Sequence, residues 1–180
     1  MYLALRQLAG KLPDAHRDLV LRRIIELGDK KHTVVPEDLP LIIADVLQTP
    51  QQSVLRIADY RVTVGSGQLP AAEVTVAYGG RTAKAEATGD GGYDAFIKAL
   101  SQALSDFDLS LPELDDFRVR IPPGGRTEAL VETLISWKDA SARDGTFSTR
   151  GVDSDQMAAA VIATEKMLNA VLARRRRVRR

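Results

Sequence analysis

Ile57-Ala58-Asp59-Tyr60-Arg61-Val62-Thr63-Val64 and Leu114-Asp115-Asp116-Phe117-Arg118-Val119-Arg120-Ile121 are the two stretches that decide the fold. Both alternate apolar and polar side chains, the pattern of a strand with one buried face. Each leads to a turn, Gly65-Ser66-Gly67 in the first and Pro122-Pro123-Gly124-Gly125 in the second. A further strand-like run follows each turn, Glu73 to Tyr78 and Ala129 to Trp137. Gly79-Gly80 suits a two-residue hairpin loop. The second hairpin connection is longer, around Lys138 to Gly145. A third strand and then a helix complete each series. Phe96, Leu100, Ala103, Leu104 and Phe107 share one face of the first helix, and Met157, Val161, Thr164, Leu168 and Leu172 one face of the second. The chain therefore carries two copies of strand-strand-strand-helix at a period of roughly 60 residues. One helix covers only one face of a three-stranded sheet, but two copies can share a core.

Outward from the repeats, the pattern changes. Asp14 is placed to cap a helix that runs to about Leu27, with Leu19, Ile24 and Leu27 near helical spacing and Gly28 as a stop. Asp29-Lys30-Lys31-His32 reads as a connector. Thr33 to Leu47 reads as a second helix, with Pro36 near its first turn, Glu37 and Asp38 at its positive end, and an apolar stripe of Leu39, Ile42, Ile43, Val46 and Leu47. The expected organisation is a helical segment over 1–50, a duplicated βββα domain over 51–173 with repeats at about 53–110 and 111–173, and a basic tail over 174–180. The fold class is α+β. Within Leu130 to Trp137, Leu130 and Leu134 face one way and Val131, Ile135 and Trp137 the other. A strand apolar on both faces is usually covered on both. Its helix accounts for one cover. The other is a second subunit, which makes a homodimer, or a sheet of the same chain.

Composition excludes several classes. The chain has 180 residues, 44% hydrophobic and 27% charged, enough to bury a core and stay in solution. With no cysteine there is no disulfide framework and no thiolate metal site. The longest apolar run, around Leu39 to Leu47, is too short to span a bilayer and carries Asp45. No basic-then-apolar leader precedes it, so a cytoplasmic protein without a membrane partner is expected. Net charge is +1, yet the last seven residues, Arg174 to Arg180, are arginine except for Val178. Such a run suits nucleic acid or anionic lipid; it equally suits the solvated C-terminal end of a helix. His16 and His32 form no metal-binding pair, and no nucleophile elbow, Walker loop or catalytic cysteine occurs. No catalytic residue and no metal ligand is therefore expected.

Two loops carry the chemistry that remains. Thr88-Gly89-Asp90-Gly91-Gly92-Tyr93-Asp94 opens the first helix, and Thr149-Arg150-Gly151-Val152-Asp153-Ser154-Asp155 opens the second. Glycine lets backbone amides approach a ligand closely. The first turn of a helix adds unpaired donors and partial positive charge, a seat for a carboxylate. Asp90, Asp94, Asp153 and Asp155 are placed either to cap their helices or to meet an ammonium group. A free amino acid would satisfy both demands, and ordinary N-capping explains the same residues without a ligand.

The segments Ala87-Thr88-Gly89-Asp90-Gly91-Gly92-Tyr93-Asp94-Ala95, Thr149 to Asp155 and Asp116-Phe117-Arg118-Val119-Arg120 resemble the C-terminal part of the α-isopropylmalate, homocitrate and citramalate synthase family. Leu27-Gly28-Asp29-Lys30-Lys31 and Val35-Pro36-Glu37-Asp38-Leu39 look like that family's helical linker, so the likeness runs from about residue 14 to 172. The family loop commonly reads Gly-Asp-Gly-Pro and then an apolar residue; here Gly92 stands at the proline and Tyr93 is bulkier than usual. The resemblance implies a dimerising regulatory domain that binds an end-product amino acid between subunits. It implies an effector site at Gly89, Asp90, Gly91, Gly92, Tyr93, Asp94 and Ala95 with Gly151, Val152, Asp153, Ser154 and Asp155. It further implies leucine as effector, with isoleucine for the citramalate branch of the family. The partners implied are a second copy and the catalytic barrel of a full-length enzyme. That barrel, with its divalent metal and acetyl-CoA, condenses acetyl-CoA with 2-oxoisovalerate; these residues need no cofactor of their own. On this reading the chain is a piece of that enzyme or a split subunit. A ligand-free dimerisation module and an RNA-binding module are the other readings. Asp153 and Asp155 at the last helix, where double-stranded RNA readers place lysines, argue against the RNA-binding one, and no nucleic-acid partner is expected.

Overall fold

A computed structural model of the chain describes residues 13–29, 34, 38–47, 53–121, 129–139 and 145–178. Two helices come first, α1 (Asp14–Asp29) and α2 (Leu39–Leu47). The first repeat contains β1 (Leu55–Thr63), β2 (Ala71–Tyr78), β3 (Arg81–Thr88) and α3 (Gly92–Ser105). The second contains β4 (Leu114–Arg120), β5 (Val131–Lys138), β6 (Thr146–Asp153) and α4 (Gln156–Val178). The sheets have strand orders β1-β2-β3 and β4-β5-β6, giving the duplicated α+β arrangement. The chain forms two compact units: residues 1–49, 116–136 and 148–163, and residues 50–115, 137–147 and 164–180.

In the second of these units, β2 pairs antiparallel with both neighbours, and Tyr78 lies opposite Arg81 across the hairpin. Gly79 and Gly80 have φ of 58° and 77°. Two successive left-handed residues match the twist of the flanking strands, which is why glycine stands at both. Ala72, Val74, Val76 and Ala83 face the buried side of α3, formed by Ala95, Phe96, Ala99, Leu100, Ala103 and Leu104. The alanines let the helix approach the sheet closely. Tyr60 meets Phe96 edge-on at 6.1 Å, and Tyr78 meets Phe107 edge-on at 5.7 Å.

The edge strand β1 also finds partners on α4. Asn169 Oδ1 accepts from the amides of Val54 (2.7 Å) and Leu55 (3.1 Å), and Asn169 Nδ2 donates to the Leu55 carbonyl (2.8 Å). One turn earlier, Glu165 Oε2 accepts from the Ile57 amide at 2.8 Å. The pairing register of β1 shifts between Ile57 and Asp59. Side chains of a helix thus occupy backbone groups that an open sheet edge would leave to water or to another chain.

The other unit gathers Val20 and Leu27 of α1, Ile42 and Val46 of α2, Leu130, and Val152 of β6 into one buried cluster. On the opposite face of β6, Gly151 lies against α4. A β-carbon there would sit 1.9 Å from the Ala159 carbonyl oxygen and 2.8 Å from the Ala163 amide nitrogen. Val131, Glu132, Thr133, Ile135 and Trp137 are all buried, so both faces of β5 are covered as its composition requires. At the Leu130 end, cover comes from the pair α1 and α2 of the same chain. Buried Glu132 is compensated by Arg150, whose Nε lies 2.9 Å from its carboxylate.

Two local expectations change. The helix read from Thr33 begins at Leu39, and Val34 lies outside it. Pro40 sits in its first turn, and a residue preceding proline is driven away from helical angles; Thr33, Pro36 and Glu37 lie outside the described residues. Gly28 does not stop α1, which continues to Asp29.

Candidate functional site

The two loops singled out by sequence have different structures. In the first, Gly89 is buried and its amide donates to the Pro70 carbonyl at 3.0 Å. A β-carbon at Gly89 would fall 2.4 Å from the Ala95 amide nitrogen, because the start of α3 folds back over it. Gly91 is the N-cap of α3, with extended φ and ψ of −147° and 168° and no side-chain capping bond. Around its α-carbon the space is open, with nothing within 4 Å of a β-carbon built there. At Gly92 a β-carbon would meet Val62 and Val64 at 3.1 and 3.2 Å.

The side chains of this loop are engaged by the protein itself. Asp94 Oδ2 accepts from the Asp90 amide at 2.9 Å and pairs with Lys98 Nζ at 2.7 Å. The bond to Lys98, followed by the Asp90 amide, holds the Asp94 carboxyl below its usual range and raises the Lys98 ammonium above its own. Asp90 is exposed. Tyr93 stacks on Phe96 at 5.9 Å, and its hydroxyl bonds Thr164 Oγ1 at 2.9 Å. Burial pushes that hydroxyl's pKa upward. The extra bulk of Tyr93 is therefore absorbed by packing. Buried Ala95 donates its amide to the Gly91 carbonyl at 2.9 Å.

In the second loop, Gly151, Val152 and Asp153 are the last residues of β6 and do not belong to the helix start. Asp153 Oδ1 accepts from the amides of Ser154 (2.9 Å) and Asp155 (3.3 Å). Asp155 Oδ1 accepts from the Ala158 amide at 2.7 Å, three residues on, as an N-cap does. The remaining Asp153 oxygen lies 3.4 Å from Arg23 Nη2. Here the amides are occupied by the protein's own carboxylates, and Asp153 and Asp155 fill the capping roles that were weighed against an ammonium contact. The first loop lies in the unit of residues 50–115, 137–147 and 164–180, and the second in the other.

Sequence reasoning missed Arg23 and Asp45, whose Nε and Oδ2 lie 3.8 Å apart. The available signal was a lone aspartate in the apolar run Leu39–Leu47, because a charge so placed needs a cation. A cleft of about 480 Å³ lies on the first sheet, lined by Arg61, Thr63, Glu73, Glu86 and Thr88 among others. The Lys84 ammonium, 2.7 Å from Glu73, lowers the Glu73 pKa. The basic tail continues α4 as far as Val178. Arg174 pairs with Asp139 and lies over the Phe147 ring at 4.6 Å. His16 lies on α1, and His32 falls outside the described residues. Among the described residues no group of three His, Cys, Asp or Glu could hold a metal ion, and no helix is long and apolar enough to cross a membrane.

A duplicated βββα unit preceded by two helices defines a class of α+β domain. The chain belongs to the LeuA allosteric (dimerisation) domain family, whose family model matches residues 33–172. It is 33% identical over 177 residues to a protein of Methanosphaerula palustris provisionally named (R)-citramalate synthase, covering 98% of this chain and 34% of that one. It is 28% identical over 173 residues to the 2-isopropylmalate synthase of Aquifex aeolicus, covering 95% and 32% respectively. It is 29% identical over 168 residues to the 2-isopropylmalate synthase of Dictyoglomus turgidum, covering 92% and 31%. The chain thus spans about a third of the length of these relatives.

Proposed function

We propose that this chain is the feedback-regulatory region of a 2-isopropylmalate synthase and that it binds leucine as a homodimer. The observation that carries this reading is the start of α3. Its cap is glycine, no side chain caps it, and space is open beside it, in a family whose model is an allosteric (dimerisation) domain. The leucine carboxylate is seated by the amides from Gly91 to Asp94, ahead of the Ala95 amide that already donates to the Gly91 carbonyl, where the helix dipole favours an anion. Backbone carbonyls receive the ammonium group; the carboxylates of the second loop are already committed to capping and to Arg23. Feedback follows if leucine has higher affinity for the less active arrangement of the full-length enzyme. Acetyl-CoA and the divalent metal belong to the catalytic barrel in this proposal.

Isothermal titration of the 180-residue chain with leucine tests the reading, with light scattering to establish the dimer. Heat is expected at millimolar leucine or below. Gly91→Asp is expected to abolish it by charge repulsion while leaving the circular dichroism spectrum unchanged. Lack of heat from the unsubstituted dimer would leave a ligand-free dimerisation module. A second reading, isoleucine sensing in a citramalate synthase, is favoured by the 33% identity to the Methanosphaerula palustris protein over 98% of the chain. The two ligands differ in the position of one methyl group, so competitive titration separates them.

A further inference from the structure

The cap of α3 has no side chain with which to fix the start of the helix, because it is Gly91, and the first helical residue is Gly92. Asp94 ties the turn to near neighbours, the Asp90 amide and Lys98. Tyr93 reaches further. Its hydroxyl meets Thr164 Oγ1 of α4 at 2.9 Å, 71 positions along the chain. Its ring stacks on Phe96, which in turn meets Tyr60 of β1 edge-on. Thr164 is fully buried. Its neighbours on α4, Glu165 and Asn169, hold backbone groups at the entry to β1. The anchor point of Tyr93 is therefore part of a packed polar joint. All of these residues lie in the unit of residues 50–115, 137–147 and 164–180.

We infer that Tyr93 is a positioning residue of the effector site: the bond between its hydroxyl and Thr164 holds the amides from Gly91 to Asp94 in the array that a carboxylate requires. This inference rests on the amino-acid sensing proposed above. Donors bind an anion well only when they are held in place before it arrives, since ordering them on binding subtracts from the affinity. Gly91 has no capping bond to supply that order. The ring of Tyr93 is turned to Phe96 and its hydroxyl to α4. Tyr93 thus meets the effector through its backbone amide, and its side chain acts through the turn it fixes. By reciprocity, an effector seated on these amides steadies the bond between α3 and α4.

The test titrates leucine and isoleucine into the 180-residue chain and its variants at a temperature where each is folded. Tyr93→Phe keeps the ring stack and removes the hydroxyl. It should weaken whichever amino acid the unsubstituted chain binds by about three- to tenfold, the effect of one lost hydrogen bond. Thr164→Val removes the partner and should reproduce that loss, and it replaces the Phe variant should the latter fail to fold. Thr164→Ser keeps a hydroxyl and should bind within about twofold of the parent. A bond that served folding alone would lower the melting temperature and leave affinity unchanged, because a small unfolded fraction barely alters apparent affinity. Affinity within about twofold of the parent in the folded Phe and Val variants would therefore overturn the positioning role. A loss of about a hundredfold or more would overturn it too, because the hydroxyl would then be touching the ligand itself. So would equal losses in Thr164→Ser and Thr164→Val, which would place the cause outside the hydroxyl. Failure of both amino acids to bind the unsubstituted chain would overturn the sensing proposal and this inference together.

Discussion

Glu165 shows how one side chain can be used against its own electrostatic preference. Burial raises its carboxyl pKa, while the Ile57 amide and the charge of Arg56 act in the opposite direction. A carboxyl whose folded pKa lies above its unfolded value favours the fold when protonated, and that contribution is lost as pH rises through the folded pKa. At neutral pH the ionised group is thus a liability, retained with a hydrogen bond to the β1 edge. Glu165→Gln keeps an acceptor for Ile57 and removes the charge. The variant should melt at a higher temperature than the parent at about pH 7, and the gap should close as pH falls through the raised pKa toward about 4. Thermal melts of both proteins across this range check it; a gap that widens toward acid contradicts the assignment. Asp94 has the opposite sign, because its pKa is lowered, chiefly by Lys98, and its contribution fades as pH falls through that lowered value. Neither shift was legible in sequence, since Glu165 and Ile57 are 108 positions apart. The glycine-rich character of residues 89–92 was plain in the sequence, but the separate tasks of those glycines were not. Gly89 makes room for backbone at 2.4 Å, and Gly91 faces open space.

Among the elements, α4 is more than the closing helix of its repeat. Asn169 and Glu165 stand one turn apart on it and between them hold four backbone groups at the entry to β1: the amides of Val54, Leu55 and Ile57 and the carbonyl of Leu55. Asn169 is 1% exposed. Asn169→Leu conserves approximate volume and leaves three of those groups without their partner. A buried donor or acceptor stripped of its bond costs about 1–3 kcal/mol, so a loss of about 2–4 kcal/mol is expected once partial rescue by water is allowed for. Urea denaturation measures it; a loss below about 1 kcal/mol would mean that these bonds are dispensable. The helix itself was readable from Met157, Val161, Thr164, Leu168 and Leu172, with Val161, Thr164, Leu168 and Leu172 buried as that spacing requires. Its polar contacts were not readable, because periodicity reports which face is buried and is silent about which backbone that face meets. The boundary of β6 was misplaced for a related reason. Gly151 and Asp153 look like helix-start residues locally, whereas Val152 is drawn into the cluster with Val20 and Ile42.

For the whole molecule, the functional proposal is a statement about linkage. An effector that binds only the folded dimer must stabilise it. With leucine at about 100 times its dissociation constant, the gain is about 2.7 kcal/mol, or an upward shift of about 5–10 °C in a chain of this size. Scanning calorimetry with leucine, isoleucine and a non-branched amino acid checks both the binding and its selectivity. Equal shifts from all three would count against a site shaped for a branched side chain. The domain family was recognisable from short segments because the repeat is written twice, and the family model covers residues 33–172. Which loop is open and which is closed shows only in the structure: Asp153 and Asp155 hold the amides of the second loop, while the glycine cap of the first carries no side-chain bond.

Two βββα repeats, their hairpin at Gly79-Gly80 and the burial faces of their helices follow from the amino-acid order alone, because each is a local pattern imposed by covering one face of an element. Tertiary structure alone decided three further things: that α1 and α2 cover one end of the second sheet, that a helix occupies the edge of β1, and that only one of two similar loops leaves its helix uncapped. The second of these turns on a buried polar group, Asn169, finding its partners far along the chain. Such a choice is governed by desolvation in the packed fold, and no periodicity in the sequence records it.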